Sequence, residues 1–240
     1  MNFDLFHNIF NHGHENPLQK SLLTLREFGF APKFILDIGA YKGEWTDQVF
    51  YIFPRAGFLL IEPNYHEELT RHCSMQCLLS DTEKIVDFYS ANSTGDSYKK
   101  EATQNFKNVK PRKVKTRTLD SVFEETEFRD SDGEEMNEGF DLIKIDAQGA
   151  ELDILAGGKK ALSLCEVLIL ELPFAGIYNE DTATFAEHVR YLDDLGFVPF
   201  DFAGFTRWKR LLFQVDIVFI KKDGEINKKI MKSMSNWGNP

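Results

Sequence analysis

A mostly parallel, doubly wound α/β sheet is the fold this sequence predicts, and three observations carry it. Short, largely apolar runs recur at Phe34–Ile38, Phe58–Ile61 and Val167–Leu170, and Asp141–Ile145 reads as a further strand. Continuous runs of that length mark strands buried on both faces. Helix-patterned segments alternate with them, giving the βαβα order of a doubly wound sheet with helices on both faces. The first run then closes on an acid and a loop with two glycines, Asp37-Ile38-Gly39-Ala40-Tyr41-Lys42-Gly43. An open α/β sheet builds a nucleoside site at that point of its first strand.

The elements follow in order. Asn16-Pro17 predicts a capped helix start with proline at the first helical position. Leu18, Leu22, Leu25 and Phe28 share one face of that helix, and Gly29 stops it. After the strand 34–38, a helix runs from about Trp45 to Phe53 and ends near Pro54. Phe58–Ile61 is the second strand, followed by Glu62-Pro63. A helix around residues 64–72 leads to a third strand at 75–79. Residues 84–90 and 113–118 read as strands, and the polar stretch Asn92–Lys110 between them as a mobile loop or lid. The acidic residues 124–139 read as an exposed connection. Strand 141–145 precedes a helix that begins at Ala150 and ends at Gly157-Gly158. Strand 167–170, a helix over 182–195, and strands at Phe197–Phe202 and Phe213–Ile220 close the sheet. From Lys221 onward charge and polarity alternate, the pattern of a fraying tail. The chain divides into an N-terminal helical extension (1–30), a main domain (31–222) and a C-terminal tail (223–240).

Composition narrows the partners. The 240 residues suffice for one large core, and the formal charge is -10. That charge disfavours nonspecific nucleic-acid binding and an anionic membrane surface as main partner. The three cysteines (Cys73, Cys77, Cys165) form neither a disulfide framework nor a zinc set, so reduced thiols and a cytoplasmic location are expected. The N-terminus lacks a signal-peptide pattern, and no segment reaches the roughly 18 apolar residues of a membrane span.

A dinucleotide needs a G-x-G-x-x-G turn for its pyrophosphate. Here the middle glycine is missing, and no Walker lysine is present. An acid at the first strand end (Asp37), spaced glycines, and an acid at the second strand end (Glu62) suit S-adenosylmethionine, which has no phosphate and carries a sulfonium. Asp81 after the third strand stands where a carboxylate would accept from an adenine amino group. A turn or cap aspartate is an equal reading there. Tight strand-to-helix packing is the plainer reading of the glycine loop.

Several stretches then carry a family likeness. They are Asp37 to Thr46, with Tyr41 where Asn is usual; Leu78-Leu79-Ser80-Asp81 with Val86-Asp87-Phe88-Tyr89; Ser93-Thr94-Gly95; Thr118-Leu119-Asp120; and above all Asp141-Leu-Ile-Lys144-Ile-Asp146-Ala-Gln148-Gly149-Ala-Glu151, followed by Leu155 and Gly157. In these the chain resembles the FkbM family of S-adenosylmethionine-dependent methyltransferases, over roughly residues 34–220. The resemblance implies a Rossmann-like class I methyltransferase fold with a seven-stranded sheet, residues 31–222 being the methyltransferase domain. It also implies methyl transfer to oxygen on a sugar, glycan or other small molecule. Family members often carry a histidine shortly after the fifth-strand glutamate, whereas here Glu171 is followed by Leu172-Pro173.

The candidate cofactor residues are Asp37, Gly39, Ala40, Gly43, Glu62, Asp81 and Asp146, and the catalytic candidates are Asp146, Lys144 and Glu171. Asp146 ends the fourth strand and would accept the hydroxyl proton, or would hold Mg²⁺ together with Glu171. Lys144 lies two residues earlier on the same strand face, to pair with either acid or simply to form a buried ion pair. Glu151 would orient Lys144 or the substrate, or merely favour the helix start. Gln148 would hydrogen-bond the loop or cofactor. His66, His72 and His188 are expected to be exposed. Tyr98, Lys99, Lys100, Lys107, Lys110 and Arg112 would close over an anionic or sugar substrate, or belong to a solvated loop. Two other functions stay open: a nicotinamide-dependent oxidoreductase, and a noncatalytic adenosyl-ligand-binding protein.

Overall fold

Asn16 caps the first helix as its sequence requires: the side chain accepts from the Gln19 amide at 2.8 Å, with Pro17 in the first turn. This helix, α1 (Pro17–Glu27), opens the computed structural model, which describes residues 16–102, 104–129, 139–176 and 179–235. There follow β1 (Phe34–Ile38), α2 (Glu44–Ile52) and β2 (Gly57–Ile61), then a 3₁₀ turn at Glu67–Arg71. The short strands β3 (Ser74–Met75), β4 (Leu78–Leu79) and β5 (Ile85–Phe88) come next. A second 3₁₀ turn at Gln104–Phe106 leads to β6 (Arg112–Arg117) and α3 (Leu119–Glu125). The last half holds β7 (Leu142–Ile145), α4 (Glu151–Ala156), α5 (Lys159–Leu164), β8 (Val167–Pro173) and α6 (Phe185–Asp194). The hairpin β9 (Phe197–Trp208) and β10 (Leu211–Lys221), then α7 (Glu225–Met234), complete the chain's described part.

The main sheet has seven strands in the order β3-β2-β1-β7-β8-β10-β9. All pairings from β3 to β8 are parallel, and only β10 runs antiparallel to both its neighbours. Side chains on β1 alternate faces. Leu36 and Ile38 enter one core with α3, α4, α5 and α6, while Ile35 enters the other with α1, α2 and α7. The chain leaves β1 for β2 on one side and returns as β7 on the other, so the switch point lies between β1 and β7. Their register sets Asp37 beside Lys144 and Ile38 beside Ile145.

Four expectations are corrected. The helix around residues 64–72 is a single 3₁₀ turn. The strand at 75–79 breaks in two: β3 pairs with β2, whereas β4 pairs with β6 in a separate three-stranded sheet, β4-β6-β5. Residues 225–234 form a helix, not a frayed tail, and Ile226 buries in the α1 core. Helices α3 and α5, absent from the pattern reading, start at Thr118, whose side chain accepts from the Ser121 amide, and after Gly158. Most of the acidic connection 124–139 lies outside the described residues, as do residues 1–15 of the extension and 236–240 of the tail.

Candidate active site

The site begins where β1 stops. Gly39 has φ +73°, and a Cβ there would lie 1.8 Å from the Asp146 carbonyl oxygen, so only glycine fits. The Gly39 and Ala40 amides both donate to Ile61 O, at 2.9 and 3.2 Å, which folds the loop under the end of β2. Gly43 takes φ +81° as the residue before α2. A cavity open to solvent lies above this loop. Its lining includes Gly39, Ala40, Tyr41, Trp45, Glu62, Leu79, Phe88, Asp96, Ser97, Tyr98, Lys144 and Asp146.

Glu62 faces this cavity from the end of β2. Its carboxylate accepts from the Tyr41 amide (3.0 Å) and the Asn64 amide (2.9 Å). Burial outweighs those two bonds and raises its pKa. Asp37 is fully buried and stands off the cavity wall. It accepts from Thr46 Oγ1 at 2.8 Å and pairs with Lys144 Nζ at 3.3 Å. Lys144 is therefore the link between Asp37 and the open site. Its ammonium also lies 3.4 Å from Asp146 Oδ2 and donates to Gly39 O at 3.3 Å. Burial opposes that charge, but Asp37, Asp146 and Glu171 together outweigh it and raise the lysine's pKa.

Asp146 is partly exposed on the cavity wall. Behind it, Gln148 Nε2 donates to Asp146 Oδ1 (3.1 Å) and to Glu171 Oε2 (2.6 Å). Gln214 Nε2 reaches the same Glu171 oxygen at 2.7 Å. Burial, followed by the charges of Asp146, Asp216 and Glu151, pushes Glu171 well above the ordinary carboxylate range. Asp216 is the register partner of Glu171 on β10, and burial with Asp146 raises it to about 6.

The expected residues divide accordingly. Gly39, Ala40, Glu62, Lys144 and Asp146 meet at one cavity. Asp37 acts on it through Lys144, and Gly43 shapes the entry to α2. Glu171 lies outside the cavity, behind Gln148. Asp81 is not brought to the site: it pairs with Lys84 at 2.6 Å, which holds its pKa down, and with Ser80. The Mg²⁺ expectation also fails on the donor set. Between Asp146 and Glu171 stand the amide hydrogens of Gln148, and on the other side the Lys144 ammonium, so a cation would meet donors instead of acceptors. Among the described residues no group of three or more His, Cys, Asp or Glu is arranged to hold a metal.

The cations of the 92–115 loop mostly bond protein. Lys99 pairs with Asp153 at 2.9 Å, and Arg112 donates to Pro63 O and Asn64 Oδ1. His66 and His188 are buried, not exposed. His188 is one turn from the buried Leu192 on α6, an i, i+4 spacing that the sequence does display. The part played by Asp96 has no such signal. It accepts from the amides of Ala91, Asn92 and Ser93 and from the Asn64 side chain, all contacts of a folded loop.

An open, mostly parallel sheet with an acid-lined cavity at its switch point defines a Rossmann-like enzyme domain for a nucleoside-type cofactor. Residues 37–199 match the Methyltransferase FkbM domain, so the chain belongs to the FkbM methyltransferase family. It is also 26% identical over 167 residues to the 2-O-methyltransferase NoeI of Sinorhizobium fredii (strain NBRC 101917 / NGR234). That match covers 60% of this chain and 65% of the relative's length. Among solved structures, a methyltransferase FkbM from Methylobacillus flagellatus KT superposes with a TM-score of 0.47 at 13% identity, over 77% of this chain and 43% of that one. The 1,6-didemethyltoxoflavin-N1-methyltransferase of Burkholderia thailandensis, with bound 1,6-didemethyltoxoflavin and S-adenosylhomocysteine, gives a TM-score of 0.47 at 13% identity. It covers 92% of this chain and 87% of that chain.

Proposed function

We propose that this protein transfers a methyl group from S-adenosylmethionine to a hydroxyl of a sugar, glycan or other small-molecule acceptor. One observation carries the reading: one cavity is lined by both Glu62 and the Lys144–Asp146 pair, above a glycine loop that lacks a phosphate turn. Glu62, held by two backbone amides, is the acceptor for ribose hydroxyls. Gly39 and Ala40 allow close approach of the cofactor to the backbone. The family, and the 2-O-methylation named for NoeI, support a hydroxyl as acceptor. A nicotinamide cofactor would find no seat for its pyrophosphate in this loop.

When bound, the cofactor supplies an electrophilic methyl on a sulfonium. The chain supplies alignment and a proton acceptor. Gly39, Ala40 and Glu62 would hold the methyl donor, and the Asp146 carboxylate would take the proton of an acceptor hydroxyl as that oxygen is methylated. Lys144, 3.4 Å from Asp146 Oδ2, orients that carboxylate, and Asp37 keeps Lys144 in place. General-base assistance of this kind contributes on the order of 10²–10⁴-fold. The cysteines Cys73, Cys77 and Cys165 are unpaired, which suits a reducing, cytoplasmic setting. Among the described residues no helix is long and apolar enough to cross a membrane.

Calorimetry with S-adenosylmethionine, S-adenosylhomocysteine and NAD is the first test, and binding of NAD alone would sink the proposal. Methyl-labelled S-adenosylmethionine, offered with a panel of hydroxylated acceptors, then identifies the product by mass spectrometry. Asp146→Asn is expected to bind the cofactor within about threefold of wild type and to lose roughly 100-fold or more in turnover. Equal turnover would remove Asp146 from the chemistry.

A further inference from the structure

Two left-handed residues follow Asp146. Gln148 has φ 52° and Gly149 φ 95°. At 149 only glycine fits, because a Cβ would lie 2.3 Å from Thr182 Cγ2. Gln148 has no such excuse, and a side-chain-bearing residue persists in that region only where its surroundings hold it. The holder is visible. Asn179, 3% exposed, donates from Nδ2 to the Gln148 carbonyl oxygen. Held this way, Gln148 directs its amide to both Asp146 and Glu171.

Asn179 is itself tied to the wall of the cofactor cavity. It forms an antiparallel bridge with Glu101, and the next amide, Glu180, donates to Lys100 O at 2.8 Å. Lys99 Nζ donates to Asp181 O at 3.2 Å. Two residues before Lys99, Ser97 is on the cavity wall, and its Oγ donates to Ala147 O at 3.2 Å. Residues 97–101 thus form a strap that grips the 147–149 loop twice, directly through Ser97 and indirectly through Asn179.

We infer that Asn179 is a positioning residue: through the strap 97–101 it couples the cofactor cavity to the Gln148 amide that bridges Asp146 and Glu171. Cofactor contact with Ser97 and Tyr98 steadies the strap, the strap steadies Asn179, and Asn179 holds Gln148 between the two acids. Around Glu171 the other charged groups are Asp146, Glu151, Asp216 and Lys144. The Gln148 amide is one of two hydrogen-bond donors seated on its Oε2, so its loss favours the protonated acid. The coupling to the cavity rests on the adenosyl-cofactor reading; the hold on Glu171 does not.

The test uses the full chain as wild type, Asn179→Ala and Gln148→Asn, with S-adenosylhomocysteine as the probe. Asparagine tolerates the left-handed backbone but draws the amide back from the acids. Hydrogen exchange is followed at 97–101, 147–151 and 179–182, and the Glu171 carboxyl carbon is titrated by NMR, assigned through Glu171→Gln. In wild type the probe is expected to slow exchange about tenfold in all three segments. In Asn179→Ala the slowing is confined to 97–101, probe affinity stays within about threefold, and the Glu171 midpoint rises. In Gln148→Asn the midpoint rises while protection of 179–182 persists. Unchanged exchange and midpoint in Asn179→Ala overturn the inference, as does outright loss of probe binding, which would make Asn179 a cofactor contact. If wild type binds no probe, the functional reading falls, and an unmoved Glu171 midpoint in either variant then overturns the positioning role as well.

Discussion

Glu151 shows how one side chain can bind stability to pH. It is buried at the start of α4, and its Oε1 accepts from the Ala147 and Gly149 amides. Its Oε2 lies 3.9 Å from His188 Nε2, and neither atom has a hydrogen-bond partner. His188 Nδ1 faces the Thr184 carbonyl at 2.9 Å, so it carries the proton, and Nε2 of the neutral ring presents a lone pair. Two acceptors therefore face each other, and a proton on Glu151 removes the conflict. Burial pushes Glu151 up to about 7 against the pull of its backbone bonds, and burial lowers His188. The sign follows: an acid raised in the fold contributes stability that is full below its unfolded value and is lost as pH rises through about 7. The span amounts to ~3 kcal/mol. Glu151→Gln, a mimic of the protonated acid, should melt several degrees above wild type at pH 8 and not at pH 5. Parallel melting curves for the two proteins across that range would show that Glu151 is ionised throughout.

At the scale of elements, the polar stretch after β5 is the most instructive. Its composition reads as a mobile lid, yet Asp96 gathers it. One carboxylate accepts from three successive amides, Ala91 to Ser93, from the Ser90 hydroxyl at 2.5 Å, and from Asn64 at 2.8 Å. Those bonds join the loop to the segment following Glu62, and Asp96 is itself on the cavity wall. Asp96→Ala is expected to weaken S-adenosylhomocysteine binding by about tenfold or more while costing only ~1–3 kcal/mol of stability, measured by calorimetry and urea unfolding. No periodicity foretells such a loop, because its order comes from a carboxylate meeting amides that only the folded turn brings together. By contrast α6 was legible: Thr184 and Glu187 satisfy each other's backbone as a capping box, and the residues three apart are plain in sequence.

For the whole molecule, the first and last described helices, α1 and α7, share one core. Leu22 and Leu25 of α1 are fully buried with Ile35, Val49, Val218 and Ile226, and Ser21 Oγ donates to Asp201 of β9 at 2.8 Å. Leu22→Ala is expected to cost ~2–5 kcal/mol in urea unfolding, as deep in the core as any strand residue. A loss near zero would mean that α1 is an appendage.

The sequence by itself determined the parallel sheet, the switch-point loop and some of the residues that meet in the cavity, Gly39, Ala40, Glu62, Lys144 and Asp146. Each of these depends on local pattern: apolar runs long enough to be buried on both faces, a glycine where no Cβ fits, acids at strand ends. Tertiary structure decided the rest. It placed Lys144 between Asp37 and Asp146 by strand register, turned Asp81 toward Lys84, set Gln148 between the two acids for which a metal was the alternative reading, and buried His188 against Glu151. Those outcomes depend on distances across elements far apart in the chain, where hydrogen bonding and burial choose among partners that a one-dimensional pattern leaves equal.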